Sequence, residues 1–296
     1  MNAVTKVVTQ IELDQQVYDL YDEYCHGRID RREFLRRAGA LGAGALAMAY
    51  GLMPEYARAQ TISFTDSRIK AQYVTYASPG GNGEKMRGYL VQPAGQGPWP
   101  AVLVIHENRG LNPYIEDVAR RAAVAGFVAL APDGLTPAGG YPGNDDDGRE
   151  MQAKLDQAKL RTDMLNGAKF LKAHKLSSGK LGATGFCWGG TTNYLAVALG
   201  ADLQAAAPFY GAAAETGSVA KIKAPILAHL AENDPRINEM YPTYEDALKK
   251  AGARYEIQMY PGTQHGFHNN STPRYNEAAA KLAWDRTVAF FTKNLV

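Results

Sequence analysis

The sequence predicts an α/β protein: an open, twisted, mostly parallel sheet with helices on both faces and an antiparallel hairpin at its start. Three observations carry this. From residue 98 onward, strand-like runs alternate with helix-length segments, the pattern of repeated β-α-β units. The run Ala101-Val102-Leu103-Val104-Ile105 is apolar without alternation, as suits a strand buried on both faces. Finally, Gly185-Phe186-Cys187-Trp188-Gly189-Gly190 sets glycines around one reactive side chain at a junction of strand and helix, where the backbone has to turn sharply.

The elements follow in order. Segments 69–77 and 86–92 flank Pro79-Gly80-Gly81-Asn82-Gly83 and form the hairpin. Pro98-Trp99-Pro100 punctuates the chain before the 101–105 strand. A helix over 114–125, stopped by Gly126, leads to a strand over 127–131. Residues 134–148, rich in Gly and Asp, read as a long site-forming loop. One long helix is predicted over 149–174, then a strand over 180–185 and a helix from 189. Strands over 205–210 and 225–231, a helix over 240–251, a strand over 255–260 and a helix over 276–294 complete the chain. No internal repeat or interdomain linker interrupts it.

Composition narrows the function classes. The 296 residues are 46% hydrophobic, which excludes a disordered chain. With 32 basic against 30 acidic residues, nothing supplies the basic face that nucleic-acid binding needs. At the N-terminus, Asp30-Arg31-Arg32-Glu33-Phe34-Leu35-Arg36-Arg37 precedes an uncharged stretch over 38–54, and Ala57-Arg58-Ala59 offers small residues at −3 and −1 of a cleavage site. The tract resembles a twin-arginine (Tat) export signal. It is too short and glycine-rich for a stable membrane span, which takes about 20 strongly apolar residues. The resemblance implies export by the Tat machinery, removal of residues 1–59, a periplasmic location and one mature domain over 60–296. The preceding arm, with Tyr18, Tyr21 and Tyr24, reads as part of the signal or, alternatively, as a docking helix that stays attached. Cys25 leaves with the signal, so Cys187 becomes the single thiol in an oxidising compartment.

In doubly wound sheets, ligands gather at the carboxyl ends of strands. Four predicted strand ends carry reactive side chains. The 185–190 turn has the nucleophile-elbow pattern G-x-S-x-G with Cys187 in the serine's place, and the helix after it favours a thiolate. Asp234 and His265 follow two later strands, in the order nucleophile, acid, histidine of α/β-hydrolase triads. The histidine relays the proton and the carboxylate fixes its tautomer. Glu232 is the rival acid. His106-Glu107-Asn108-Arg109-Gly110 follows the 101–105 strand, and by position the backbone N–H groups of Asn108 and Trp188 would form the oxyanion hole. Glu107 and Arg109 could also be a surface ion pair, and His26, His174, His229 and His268 read as structural.

Together these motifs, with Gln264-His265-Gly266-Phe267, resemble the dienelactone hydrolase (carboxymethylenebutenolidase) family of α/β-hydrolases over nearly the whole of residues 60–296. The resemblance implies a Cys187–His265–Asp234 triad, with Glu107 as the auxiliary glutamate that helps generate the thiolate. It also implies hydrolysis of a small-molecule ester or lactone through a thioester, with no metal or organic cofactor. Two features depart from the family. The arginine that holds a substrate carboxylate a few residues after the histidine is absent from Phe267-His268-Asn269, and Arg109, Arg149, Arg236 and Arg274 are the candidates to replace it. An export signal is the second. The alternatives are a thioesterase or other acyl hydrolase, and a non-catalytic binding or thiol redox-sensing protein on the same fold.

Overall fold

A computed structural model of the chain describes residues 16–17, 19–21, 23–24, 29, 31–51 and 60–296, in two compact units, Met1–Pro54 and Glu55–Val296. Tyr18, Cys25, His26 and the Ala57-Arg58-Ala59 tract lie outside the described residues. In the first unit, helices α1 (Arg31–Leu41) and α2 (Ala43–Gly51) are separated at Gly42, whose φ of 126° is a glycine conformation. Phe34 is buried and stacks on Tyr24 at 5.1 Å between ring centroids, with Tyr21 at 5.8 Å. Arg36 and Arg37 both pair with Glu33, and Arg37 also reaches Glu23 at 3.2 Å. No helix among the described residues is long and apolar enough to cross a membrane.

The second unit holds an eight-stranded sheet. Strands β1 (Ile69–Ala77) and β2 (Lys85–Pro93) form the expected antiparallel hairpin, with Tyr73 opposite Tyr89. The others are β3 (Trp99–Ile105), β4 (Val128–Pro132), β5 (Ser177–Phe186), β6 (Ala205–Phe209), β7 (Ile226–Asn233) and β8 (Tyr255–Gln264). Their order is β1-β2-β4-β3-β5-β6-β7-β8, parallel from β4 onward.

Period-two alternation explains why β3 is apolar throughout. Ala101, Leu103 and Ile105 pack on one side with α5 (Gln157–Ala173), α6 (Thr191–Leu199) and α8 (Tyr241–Lys250). Val102 and Val104 face the other side with α3 (Pro113–Val124) and α9 (Glu277–Leu295). Each fully buried side chain of this kind contributes roughly 1.5–3 kcal/mol. From β3 the chain moves to β4 on one side and later returns to β5 on the other. That reversal opens a crevice at the carboxyl ends of β3 and β5.

One expectation is corrected. The single helix predicted over 149–174 is two, α4 (Asp145–Lys154) and α5, and α4 takes up the end of the expected 134–148 loop. Leu155 turns extended at ψ 152°, and the Asp156 carboxylate caps α5 by accepting from the N–H groups of Ala158 and Lys159. Asn144 caps α4 in the same way, through the Asp147 N–H.

Candidate active site

Cys187 carries a thiol outside any disulfide and sits just past β5 with φ 57°, a strained left-handed conformation for a side-chain-bearing residue. A single 3-10 turn over Cys187–Gly190 precedes α6, so the helix starts slightly later than the sequence pattern suggests. The glycines are required by contact. A Cβ on Gly185 would lie 2.6 Å from the Gly189 carbonyl oxygen, and one on Gly190 would lie 2.4 Å from the Ala212 nitrogen.

Asp234 and His265 follow β7 and β8 and come together as a buried pair, with Nδ1 of His265 2.5 Å from Asp234 Oδ2. An ionised carboxylate only accepts, so Nδ1 carries the proton and Nε2 remains for proton exchange. Arg274 donates to the His265 carbonyl at 3.1 Å. The rival Glu232 is exposed and accepts from the Gly262 N–H at 2.8 Å.

The β3–β5 register pairs Ile105 with Gly185, which sets the Glu107 loop beside the Cys187 turn. Glu107 is 4% exposed. Asn269 Nδ2 donates to its Oε2 at 2.9 Å, and Asn269 Oδ1 accepts from Ser271 N–H and Oγ–H, which fixes the amide's orientation. His106 holds the loop from the other side. Its Nε2 accepts from the Gly134 N–H at 3.1 Å, so Nδ1–H donates to the Glu107 carbonyl. Burial pushes this histidine down to about 4, which keeps that tautomer neutral. Its ring stacks on Trp188 at 5.7 Å, and the Trp188 indole N–H donates to Gln157 at the start of α5. Asn108 and Trp188, the two expected oxyanion donors, thus follow neighbouring strands on either side of the crevice.

The candidate arginines differ in setting. Arg109 is buried and donates to Asp145 at 2.7 Å, and Arg149 donates to Asp146 at 3.1 Å, so α4 answers both. Arg274 lies under His265, and Arg236 is half-buried in the single-turn helix α7 (Pro235–Asn238).

Three other histidines play structural parts. His229 is wedged between Tyr260 and Thr287, His268 bonds the Tyr114 hydroxyl at 2.7 Å, and Nδ1 of His174 accepts from the Leu176 N–H. Among the described residues no group of three or more His, Cys, Asp or Glu side chains is placed to hold a metal ion. The sequence reading missed Asn269 and Ser271 as the support of Glu107. Its only hint was the lack of the expected arginine at that place.

Comparison with known proteins identifies the family of the chain. Residues 86–295 match the model of the dienelactone hydrolase family, and residues 6–44 match a second model described as YqhI-like. A hydrolase fragment, YghX, of Escherichia coli (strain K12) is 64% identical over 113 residues, covering 38% of this chain and 96% of the fragment. A Bradyrhizobium sp. protein named as a 2-oxo-3-(5-oxofuran-2-ylidene)propanoate lactonase is 32% identical, over 73% of this chain and 92% of its own. A crystal structure described as a dienelactone hydrolase from Klebsiella pneumoniae superposes with a TM-score of 0.66 at 29% identity, covering 76% of this chain and 99% of that one. The chain belongs to the dienelactone hydrolase family and is a carboxylic ester hydrolase.

Proposed function

We propose that the enzyme hydrolyses a small ester or lactone through Cys187, forming a thioester acyl-enzyme. The observation that carries this reading is the buried Asp234–His265 pair at the same end of the sheet that holds Cys187 on a strained turn beside Glu107. His265 Nε2 takes the thiol proton, and Asp234 stabilises the resulting imidazolium. The thiolate forms a bond to the acyl carbon, and the carbonyl π pair moves onto oxygen, where the N–H groups of Asn108 and Trp188 receive it. Collapse re-forms the carbonyl and breaks the C–O bond, and the leaving oxygen takes the proton from His265. Water then gives a proton to His265 and attacks the thioester, the carbon–sulfur bond breaks as the carbonyl re-forms, and the departing sulfur takes the proton back from His265.

Quenching the enzyme during turnover of p-nitrophenyl acetate, then peptide mass analysis, is expected to show an acetyl group on Cys187. Acetyl on a different residue, with none on Cys187, would refute the mechanism. The pH dependence of Cys187 alkylation is a second readout: an activated thiol reacts with a midpoint below the free-thiol value of roughly 8.5.

The N-terminal tract supports a further reading, export to the periplasm through a twin-arginine signal. Its support is the Arg31-Arg32 pair ahead of the uncharged 38–54 stretch. Replacing both arginines with lysine is expected to hold the protein in the cytoplasmic fraction, and unchanged periplasmic recovery would count against export by this route.

A further inference from the structure

Tyr210 is a buried group that the mechanism above leaves unused. It follows β6, the strand beside the nucleophile's, and the Phe186–Phe209 register makes Cys187 and Tyr210 the next residues on two neighbouring parallel strands. These two are the non-glycine residues with left-handed backbone among the described ones, at φ 57° and 37°. Their turns pack backbone to backbone. A Cβ on Gly211 would lie 2.5 Å from the Gly190 Cα and 3.2 Å from the Cys187 carbonyl oxygen, so neither turn can relax without the other.

The Tyr210 ring is wholly buried, 5.0 Å from the His265 ring and edge-on to Phe267. Tyr210 therefore spans the gap between the nucleophile's strand and the histidine. Its hydroxyl lies near the Tyr114 hydroxyl but meets no acceptor at full hydrogen-bonding geometry among the described residues, an unusual state for a buried polar atom. Burial, reinforced by Tyr114, Glu107 and Cys187, holds its pKa well above the ordinary tyrosine value, so the group keeps its proton.

Thioester formation sets a particular problem for a cysteine enzyme. From the tetrahedral intermediate, sulfur departs more readily than an alkoxide, because the more acidic conjugate acid makes the better leaving group. Forward collapse therefore depends on help at the departing oxygen. We propose that Tyr210 is a catalytic residue whose O–H donates a hydrogen bond to the leaving ester oxygen as the acyl-enzyme forms. The transferred proton comes from His265; Tyr210 keeps its own, and its hydrogen bond strengthens as negative charge builds on that oxygen. This rests on Cys187 being the nucleophile.

The test is Tyr210→Phe in the full chain, which removes one oxygen and keeps the ring, assayed with ethyl acetate and p-nitrophenyl acetate. The alkyl ester, whose alkoxide leaves poorly, is expected to lose on the order of 10- to 100-fold in kcat/KM, and the aryl ester less than about 3-fold. The melting temperature is expected to equal or exceed the wild-type value, since no well-formed hydrogen bond is lost. Equal losses on both esters, no loss on either, or a lowered melting temperature would overturn the proposal. Cys187→Ala run alongside separates the two claims. Activity persisting there removes the cysteine reading itself, whereas full dependence on Cys187 with equal losses in Tyr210→Phe removes only the tyrosine's role.

Discussion

Glu107 is a carboxylate in a nearly closed site, and its Oε2 accepts a hydrogen bond from the uncharged Asn269 amide. Removing that donor takes away a hydrogen bond to a buried carboxylate, and hydrogen bonds to charged groups contribute roughly 1.5–3 kcal/mol. Asn269→Leu is therefore expected to lower kcat/KM on p-nitrophenyl acetate by about 10-fold or more. It should also shift the pH midpoint of Cys187 alkylation; an unchanged rate and midpoint would mean that Asn269 does not govern Glu107. At this scale the sequence is legible where a reactive side chain ends a predicted strand, as with Cys187, Asp234 and His265. It is silent on supports such as Asn269 and Ser271, which lie in a loop without periodicity and act through a contact 162 positions away from Glu107 along the chain.

At the scale of elements, the Cys187 turn depends on backbone surfaces meeting without side chains between them. Gly190→Ala would drive a methyl to within 2.4 Å of the Ala212 nitrogen, a backbone atom that cannot swing aside. It is expected to destabilise the fold by about 2 kcal/mol or more and to suppress esterase activity. Gly217→Ala, where a Cβ meets nothing within 4 Å, should remain within about 0.5 kcal/mol of wild type in denaturant unfolding. Equal behaviour of the two variants would contradict the packing argument.

Strand positions were readable from apolar runs and turn residues, because parallel strands buried on both faces leave little ambiguity. The division of the 149–174 segment into α4 and α5 was not. Asp156 is compatible with a helix interior in sequence, and its capping role appears only once the chain bends at Leu155.

For the whole molecule, three neutral histidines are built into the interior. Burial lowers His106 to about 4 and His229 to about 3, and holds His268 well below its ordinary value. For such groups the unfolded chain binds more protons than the folded one from pH 6.5 down to the folded value. Stability is accordingly complete above pH 6.5 and falls as the pH drops through that window, by up to about 1.4 kcal/mol per pH unit for each histidine. Asp133 and Asp163, raised by burial, oppose this in part. Thermal unfolding is expected at a clearly lower temperature at pH 5 than at pH 7, and equal values would contradict the assignment of neutral buried rings.

The hydrolase domain was legible as a whole from alternating strands and helices and from the order of Cys187, Asp234 and His265. The first unit reads in sequence as a targeting tract or, for its tyrosine-bearing arm, as an attached docking helix, and its aromatic contacts among Tyr21, Tyr24 and Phe34 have no counterpart in the arginine-pair pattern. The central claim, catalysis through Cys187, is tested most directly by the hydrolysis rate of p-nitrophenyl acetate by Cys187→Ala. The account predicts a fall to the uncatalysed background with the melting temperature retained. A Cys187→Ala enzyme working at the wild-type rate would contradict it.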